Sequence, residues 1–442
     1  MPFNPEILKQ HLDFCRPTQV LVAYSGGLDS HVLLHSIASL RRLHPQLEMR
    51  AIHINHGLSP KAQDWAEHCR QVCQALNITF LVKSVDVRQH LANWSLEEAA
   101  RNLRYEALAS EMRVGEYLLL AHTEDDQAET LLLQLLRGSG VRGLAAMPLA
   151  KPFATGSLIR PLLHISRKAL QHYAIQHQLT WVEDESNLLL TLDRNYLRHQ
   201  VLPPLATRWP QVKKVLSRVA KHCAEAVELV EELAAVDLSQ AGGELPHTLS
   251  VAALVKLSPA RQKNVLRFWL KSLQLPVPNA SRLAQLQQDF LYSKEHRTPK
   301  MTWSGVEIRR FNDSLYAMPA LPAHDAKIVF SWDMTQPLVI PGLGILTAKP
   351  GEEGVEILAG AEVTVRFRQG GERFHPLGRS GSHPLKKLFQ EWRIPPWQRD
   401  RLPLIYFDED LAVVPNHAVA KKYAASGHRR GLVMLVEFNP GV

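Results

Sequence analysis

Between Val20 and the prolines near Pro203, short apolar runs alternate with longer stretches in which apolar residues recur every three or four positions. The runs predict strands and the periodic stretches predict helices. Val20-Leu21-Val22-Ala23 gives the first strand, and Leu33, Ile37 and Leu40 place an apolar stripe on a helix over His31 to Leu43. Met49 to Ile54, the β-branched Ile78 to Val87, and Glu116 to His122 give further strands. Helices over Lys61 to Leu76 and Ser95 to Met112 separate them, and Leu131, Leu132, Leu135 and Leu136 carry another on from the segment after His122. Strands and helices in this alternation imply right-handed crossovers, hence an α/β domain with a doubly wound, mostly parallel sheet.

The pattern changes twice further on. Prolines 203, 204 and 210 bracket a helix end, and a long amphipathic helix follows from about Val212 to Ala235. Helical patterns over Val251 to Leu273 and Ser281 to Tyr292, with a short hairpin over Trp303 to Ala317, make the middle of the chain mainly helical. A second boundary falls near Pro319 to Ala326, and from Ile328 short strands divided by Gly and Pro take over. The expected domains are 1–210, 211–320 and 328–442, the last a small α+β domain. A chain of 442 residues is long enough for two or three separate cores.

Composition narrows the class. With 45% hydrophobic and 21% charged residues, the chain reads as globular and not disordered. Four cysteines in this length argue for a reducing compartment. Cys69 and Cys73 beside His68 have zinc-like elements, but they lie on a helix with no second ligand pair, so they read as core. Met1 to Arg16 has no signal-peptide pattern and no apolar run is long enough to span a membrane, which predicts a cytoplasmic protein. A net charge of +8 and a pI of about 9.3 point to a polyanionic partner such as nucleic acid.

In doubly wound sheets ligands bind beyond the C-terminal strand ends, and three polar loops fall there: Ser25 to Ser30, His53 to Gly57, and His122 to Glu129. The first reads Ser-Gly-Gly-Leu-Asp-Ser. Adjacent glycines let backbone N–H groups turn inward, and the next helix adds its positive end, which makes an anion site. The spacing is too short for a Walker loop and no lysine follows. The hexapeptide resembles the pyrophosphate-binding PP-loop of ATP-pyrophosphatases, and a plain glycine turn is the bland alternative. In the third loop Asp126 and Glu129 share one side of a helix start, where they can hold an ammonium group or Mg2+, or simply cap the helix. The glycine-rich Arg137 to Gly143 stretch carries arginines that could touch phosphate, or is a mere flexible turn, while the Asp193 to Arg198 cluster reads more as a surface ion-pair network than as a site. Near the end, Arg366, Arg368, Arg373, Arg379, Lys386, Lys387, Arg393, Arg399 and Arg401 are interleaved with Phe374, Phe389, Trp392 and Trp397. That is the composition of an RNA-binding surface, or of a small domain with a solvated basic face over an aromatic core.

Taken together, these motifs resemble the tRNA(Ile)-lysidine synthetase family. The likeness rests on the Ser25 to Ser30 loop, His53-Ile54-Asn55-His56-Gly57-Leu58, Glu98 to Arg101 with Arg104-Tyr105, and His122 to Thr130. It continues through Arg137 to Gly143, Arg160-Pro161-Leu162, Asp184 to Asn187, Arg194-Asn195 and Arg198. Gly371-Glu372-Arg373 and Lys386 to Trp397 extend it to the last domain. Ser59 and Glu124 depart from the family pattern and receive no role. The resemblance implies a PP-loop, adenine nucleotide alpha hydrolase-like fold and an ATP-dependent ligase. ATP would adenylate the C2 oxygen of the wobble cytidine in a CAU-anticodon isoleucine tRNA, and L-lysine would then displace AMP to give lysidine. Ser25, Gly26, Gly27, Leu28, Asp29 and Ser30 would bind ATP, with Asp29 on Mg2+. Asp126 and Glu129 would hold lysine, Arg104 or Arg101 would neutralise the α-phosphate, and His122 would accept a proton from the attacking amine. Arg194, Arg198, Arg373, Lys386 and Lys387 would contact the tRNA. Three other readings stand beside it: a PP-loop tRNA 2-thiolation enzyme, for which the expected cysteine nucleophile or cluster is missing, a PP-loop synthetase fed by ammonia, and a non-catalytic RNA-binding nucleotide sensor. A homodimer is compatible with the sequence.

Overall fold

The computed structural model describes residues 3–9, 19–41, 44–88, 96–292, 298–351, 354–356, 361–425 and 431–438. Cys15 and the expected helix ends at Leu43 and Ser95 lie outside them. The chain forms two compact units, Met1–Leu229 and Val230–Val442. The division falls inside a long helix, downstream of the prolines at 203, 204 and 210.

In the first unit, β1 (Gln19–Ala23), β2 (Glu48–Asn55), β3 (Thr79–Ser84), β4 (Tyr117–Leu119), β5 (Ala150–Phe153) and β6 (Gly156–Ile159) make one sheet in the order β3-β2-β1-β4-β6-β5. All neighbours are parallel except the β5–β6 hairpin. This hairpin is the element the apolar pattern missed, because its first strand, Ala-Lys-Pro-Phe, is a largely exposed edge. Between the strands run α1 (Leu28–Leu40), α2 (Ala62–Ala75), α3 (Leu96–Glu111) and α4 (Glu124–Leu136), and α5 (Arg167–Gln176) follows β6.

Alternation along β1 feeds two cores. Val20 and Val22 pack with Leu33, Leu34 and Ile37 of α1 and with Tyr173 of α5. Leu21 faces the other way, with Leu108 of α3, Leu118 and Leu158. A strand covered on both faces reads as a continuous apolar run for this reason. Because β1 lies between β2 and β4, the crossovers change direction there, and the C-terminal ends of β1 and β4 flank a crevice. At the opposite end of the sheet Arg50 and Glu116, both buried, form a bidentate pair (Nε–Oε1 3.0 Å, Nη2–Oε2 2.6 Å) that serves the fold.

The long helix α6 (Val212–Gln240) crosses the division. In the second unit the helical pattern over Val251 to Leu273 is interrupted. Ser258 is extended and Pro259 opens α7 (Pro259–Ser272) at a position where its missing N–H costs nothing. α8 (Ala280–Leu286) and a π-helical turn over Gln287–Leu291 follow. The expected hairpin is part of a larger sheet of β7 (Leu249–Ser250), β8 (Lys300–Trp303), β9 (Val306–Phe311) and β10 (Ser314–Pro319), ordered β7-β10-β9-β8. Its core holds Leu266, Trp269, Phe290 and Ile308. The remaining segment has strands β11 (Phe330–Ser331), β12 (Leu338–Ile340), β13 (Gly344–Gly351), β14 (Val363–Arg366), β15 (Arg373–Phe374), β16 (His383–Pro384), β17 (Leu404–Phe407), β18 (Asp410–Val414), β19 (Ala418–Val419) and β20 (Gly431–Phe438). They form a five-stranded sheet, a three-stranded sheet and a two-stranded ribbon, with α9 (Leu385–Glu391) packed into the core through Leu385, Leu388 and Phe389.

Candidate active site

β1 ends at Ala23 and α1 starts at Leu28, so the chain has only Tyr24 to Gly27 in which to turn. Gly26 takes φ +83°, and a Cβ on it would stand 3.0 Å from Cys69 Sγ. Both facts call for glycine. Its carbonyl accepts from Val182 N at 2.9 Å, tying a distant loop to the turn. Gly27 is the N-cap residue of α1 and, lacking a side chain, caps nothing, so the first-turn amides are left to an anion. Ser30 Oγ donates to Gly27 O (3.0 Å) and accepts from Ser25 N (3.2 Å), and it lies 3.0 Å from Ser25 Oγ. These bonds fold the loop on itself. Leu28 is buried and anchors the start of the helix.

Asp29 stands in the first turn of α1, its Oδ2 3.5 Å from Arg167 Nε and its buried Oδ1 without a hydrogen-bond partner. Burial raises the carboxyl to about 7 against the opposing pull of Arg167. A carboxylate with an unsatisfied oxygen at an anion cradle fits a divalent cation shared with phosphates. Mg2+ is held in this way, by one or two protein carboxylates plus substrate oxygens, and the described residues form no larger cluster of metal-binding side chains.

Across the crevice, Thr123 and Asp126 make a capping box at the start of α4: Thr123 N donates to Asp126 Oδ2 (2.8 Å) and Asp126 N to Thr123 Oγ1 (3.4 Å). One turn on, Glu129 is almost completely buried. Two arginines meet this pair. Arg194 donates Nη2 to Asp126 Oδ1 (2.8 Å) and Nε to Glu129 Oε2 (2.7 Å). Arg198 grips Glu129 with Nε (2.7 Å) and Nη2 (2.9 Å) and reaches Asp126 Oδ1 at 3.4 Å. Burial alone would raise Asp126, but Arg194, the Thr123 amide and Arg198 hold it below the usual carboxylate range. Four residues to which the sequence assigned two separate tasks thus form one charge-matched cluster. Asn195, between the arginines in sequence, ties their segment down by donating to Ser186 O and Leu189 O.

His122, at the end of β4, lies beside this cluster. Burial, with the charges of Arg160, Arg104 and Arg194, draws its imidazole down to about 3 in spite of Asp126. Arg160 donates Nε to His122 Nδ1 at 3.2 Å. A ring held in this way stays neutral at neutral pH. Arg104, on α3, has a buried Nε with no partner and lies 5.5 Å from the Tyr105 ring centroid, with Arg101 on the same ring at 5.3 Å. His56 also keeps a buried, unpartnered Nδ1, and burial together with Arg104 lowers it to about 4. Sequence reasoning gave no role to Arg160, Arg167, Val182 or His56. Arg160 belongs to the Arg160-Pro161-Leu162 motif but carries no task there, Arg167 sits at the start of an expected helix, and Val182 acts through its backbone, which no residue type signals.

Cys69 and Cys73 are buried, and burial pushes both thiols up to about 12. They support the loop from below, as the core reading expects, and are unsuited to nucleophilic chemistry. In the second unit the stacking surface is revised: Phe374 and Phe389 are core residues, Trp397 is buried, and Trp392 stacks on His417. Apolar burial has taken Phe374, Phe389 and Trp397 from any RNA base, while Trp392 is half-buried. The charge remains: Lys386 and Lys387 are exposed on α9, and Arg373 donates to Ser382 O (2.6 Å) at a cleft also lined by Arg368, Gly371 and Lys386. None of Arg373, Lys386 and Lys387 pairs with a carboxylate among the described residues.

A doubly wound sheet whose first βα turn is a self-bonded Ser-Gly-Gly-x-Asp-Ser loop at the switch point defines a PP-loop protein, and the family model of the PP-loop domain matches residues 4–205. The models of the TilS substrate binding domain and the TilS substrate C-terminal domain match residues 249–316 and 363–436. The chain is 45% identical to the tRNA(Ile)-lysidine synthase of Coxiella burnetii over 97% of its own length and 96% of that protein. The tRNA(Ile)-lysidine synthases of Alkalilimnicola ehrlichii (44% identity, 96% and 95% covered) and Legionella pneumophila strain Paris (41%, 91% and 92%) are similar over the same span. This chain belongs to the tRNA(Ile)-lysidine synthase family.

Proposed function

We propose that the chain makes lysidine: it uses ATP to adenylate the C2 oxygen of the wobble cytidine of a CAU-anticodon isoleucine tRNA, releasing pyrophosphate, and joins the ε-amine of L-lysine to C2 as AMP departs. The observation that carries this reading is the convergence, at the β1/β4 crevice, of an anion-binding loop and a buried acid–arginine cluster. One site cradles pyrophosphate; the other suits a zwitterionic amino acid.

Ser25, Gly26, Gly27 and Ser30 bind the leaving pyrophosphate through amides and hydroxyls. Asp29 would hold Mg2+, whose chemistry when bound is to neutralise the phosphate charge. Arg104, with an unused donor, faces the charge that builds on the α-phosphate, Arg101 beside it. Asp126 and Glu129 take the lysine ammonium. Asp126 Oδ1, Asp126 Oδ2 and Glu129 Oε2 each accept two donors already and only Glu129 Oε1 accepts one, so lysine enters at Glu129 Oε1 or by displacing an arginine donor. Lys386, Lys387 and Arg373 contact tRNA phosphates, and the segments 211–320 and 328–442 serve as its platform. The chain would do this in the cytoplasm; among the described residues no helix is long and apolar enough to cross a membrane. A homodimer would show as a doubled mass in sedimentation.

The test is incorporation of labelled lysine into unmodified CAU-anticodon isoleucine tRNA with ATP and Mg2+, following AMP alongside. Label and AMP in equal amounts support the proposal. AMP without labelled RNA points to another nucleophile, and neither product favours a nucleotide sensor. In the same assay Asp126→Asn and Glu129→Gln are expected to raise the KM for lysine at least tenfold while pyrophosphate release persists. Loss of pyrophosphate release in both variants would remove them from the lysine site.

A further inference from the structure

Arg160 has no assigned role, yet the structure gives it an unusual position. It follows β6, is 3% exposed, and is fixed at three points: its N–H donates to Leu149 O (2.8 Å), Nη1 to Pro148 O (2.7 Å), and Nε to His122 Nδ1 (3.2 Å). Two of these partners are neutral carbonyls, and among the described residues no carboxylate pairs with it. A guanidinium carries donors only and does not lose its proton in a protein. The nitrogen it meets on His122 must therefore present a lone pair, and the chemistry of the neighbour decides the tautomer.

We infer that Arg160 is a positioning residue that holds His122 as the neutral imidazole protonated at Nε2, so that His122 acts by donating a hydrogen bond and not by accepting the lysine proton. What it donates to rests on the lysidine reading, where the fitting acceptor is the anionic phosphate of the departing AMP. The tautomer does not rest on that reading. Of the groups facing the ring, Asp126 alone favours a positive imidazole and is already held by Arg194 and Arg198, while Arg160 after β6, Arg104 on α3 and Arg194 oppose one. Protonation of Nδ1 would set an N–H against the Arg160 N–H and break the bond.

The experiment is 15N NMR of the full-length protein labelled at histidine, with His122 assigned by the resonance that disappears in His122→Gln. In the wild type, Nε2 is expected to be protonated and Nδ1 unprotonated, unchanged between about pH 5 and 8. In Arg160→Met, His122 is expected to exchange tautomers and to titrate in that range. The kcat of lysine transfer then falls roughly 10- to 100-fold and acquires an acid limb, while the KM for ATP stays within about twofold. Arg160→Lys, which keeps a charged donor, is expected to restore the fixed tautomer in part. A wild-type His122 protonated at Nδ1, or titrating near neutrality, overturns the inference, as does an Arg160→Met protein with unchanged His122 signals. Should Arg160→Met fail to fold, the wild-type tautomer and the Arg160→Lys spectrum decide the matter. Failure of lysine transfer beside a fixed Nε2–H tautomer would overturn the lysidine reading and leave the tautomer assignment standing.

Discussion

Single residues in the first unit carry conflicts between burial and charge, and each conflict has a measurable consequence. His31 and His56 are drawn down to about 4 by burial, and His122 to about 3. In the unfolded chain each would titrate near 6.5, so over the interval between these values the unfolded state binds more protons. The stability they contribute is complete above about pH 6.5 and is lost as pH falls toward 4. We expect the urea midpoint of the protein to drop between about pH 7 and 5, and the drop to be smaller in His31→Gln, whose ring is remote from the acid–arginine cluster's direct bonds. A midpoint independent of pH in that range would contradict the burial of these rings. Asp29 runs the other way: its raised carboxyl favours the protonated form on acidification, so it offsets part of the slope.

At the scale of elements, the α4 start and the segment that begins at Asp193 are joined by a buried acid–arginine cluster. Glu129 is 1% exposed and depends on Arg194 and Arg198 for compensation. Removing one partner of a buried pair strands the other, at a typical cost of about 3–5 kcal/mol. With a second arginine still in place, Arg198→Ala is expected to cost about 2–3 kcal/mol in urea unfolding. The double variant Arg198→Ala with Glu129→Gln is expected to recover much of that loss, because the uncompensated charge goes with it. Additive losses would show that the two side chains act separately. Val182, bonded to Gly26, and Asn195, bonded to Ser186 and Leu189, belong to the same length of chain. A single stretch, 182–198, therefore touches both the anion loop and the acid cluster.

The whole molecule adds a basic surface to a compact nucleotide site. Charge reversal of Lys386 and Lys387 to glutamate is expected to weaken tRNA binding and to lower the slope of log Kd against log salt by roughly 1 for each phosphate that the protein no longer neutralises. Filter binding at several salt concentrations reads both quantities. An unchanged slope would make this face a solvated one. Much of the architecture was legible from the amino-acid order alone. Continuous apolar runs and period-3.6 stretches predicted the parallel sheet and its helices, and the paired glycines predicted the tight turn at Gly26-Gly27, because these depend on neighbours in the chain. The split of the helix at Pro259 followed the same local rule, although the apolar period ran across it. The partners of charged and aromatic side chains depend on residues far away in sequence, and only the tertiary structure decided them. Asp126 and Glu129 were correctly read as neighbours, but the arginines that neutralise them come from more than sixty positions on, as the 65-residue separation of Glu129 and Arg194 records. Phe374 and Phe389 have the composition of a stacking surface and the burial of a core. His122 is the clearest case: the sequence supplies an imidazole of ordinary basicity, and a guanidinium 38 residues away determines which of its nitrogens holds the proton.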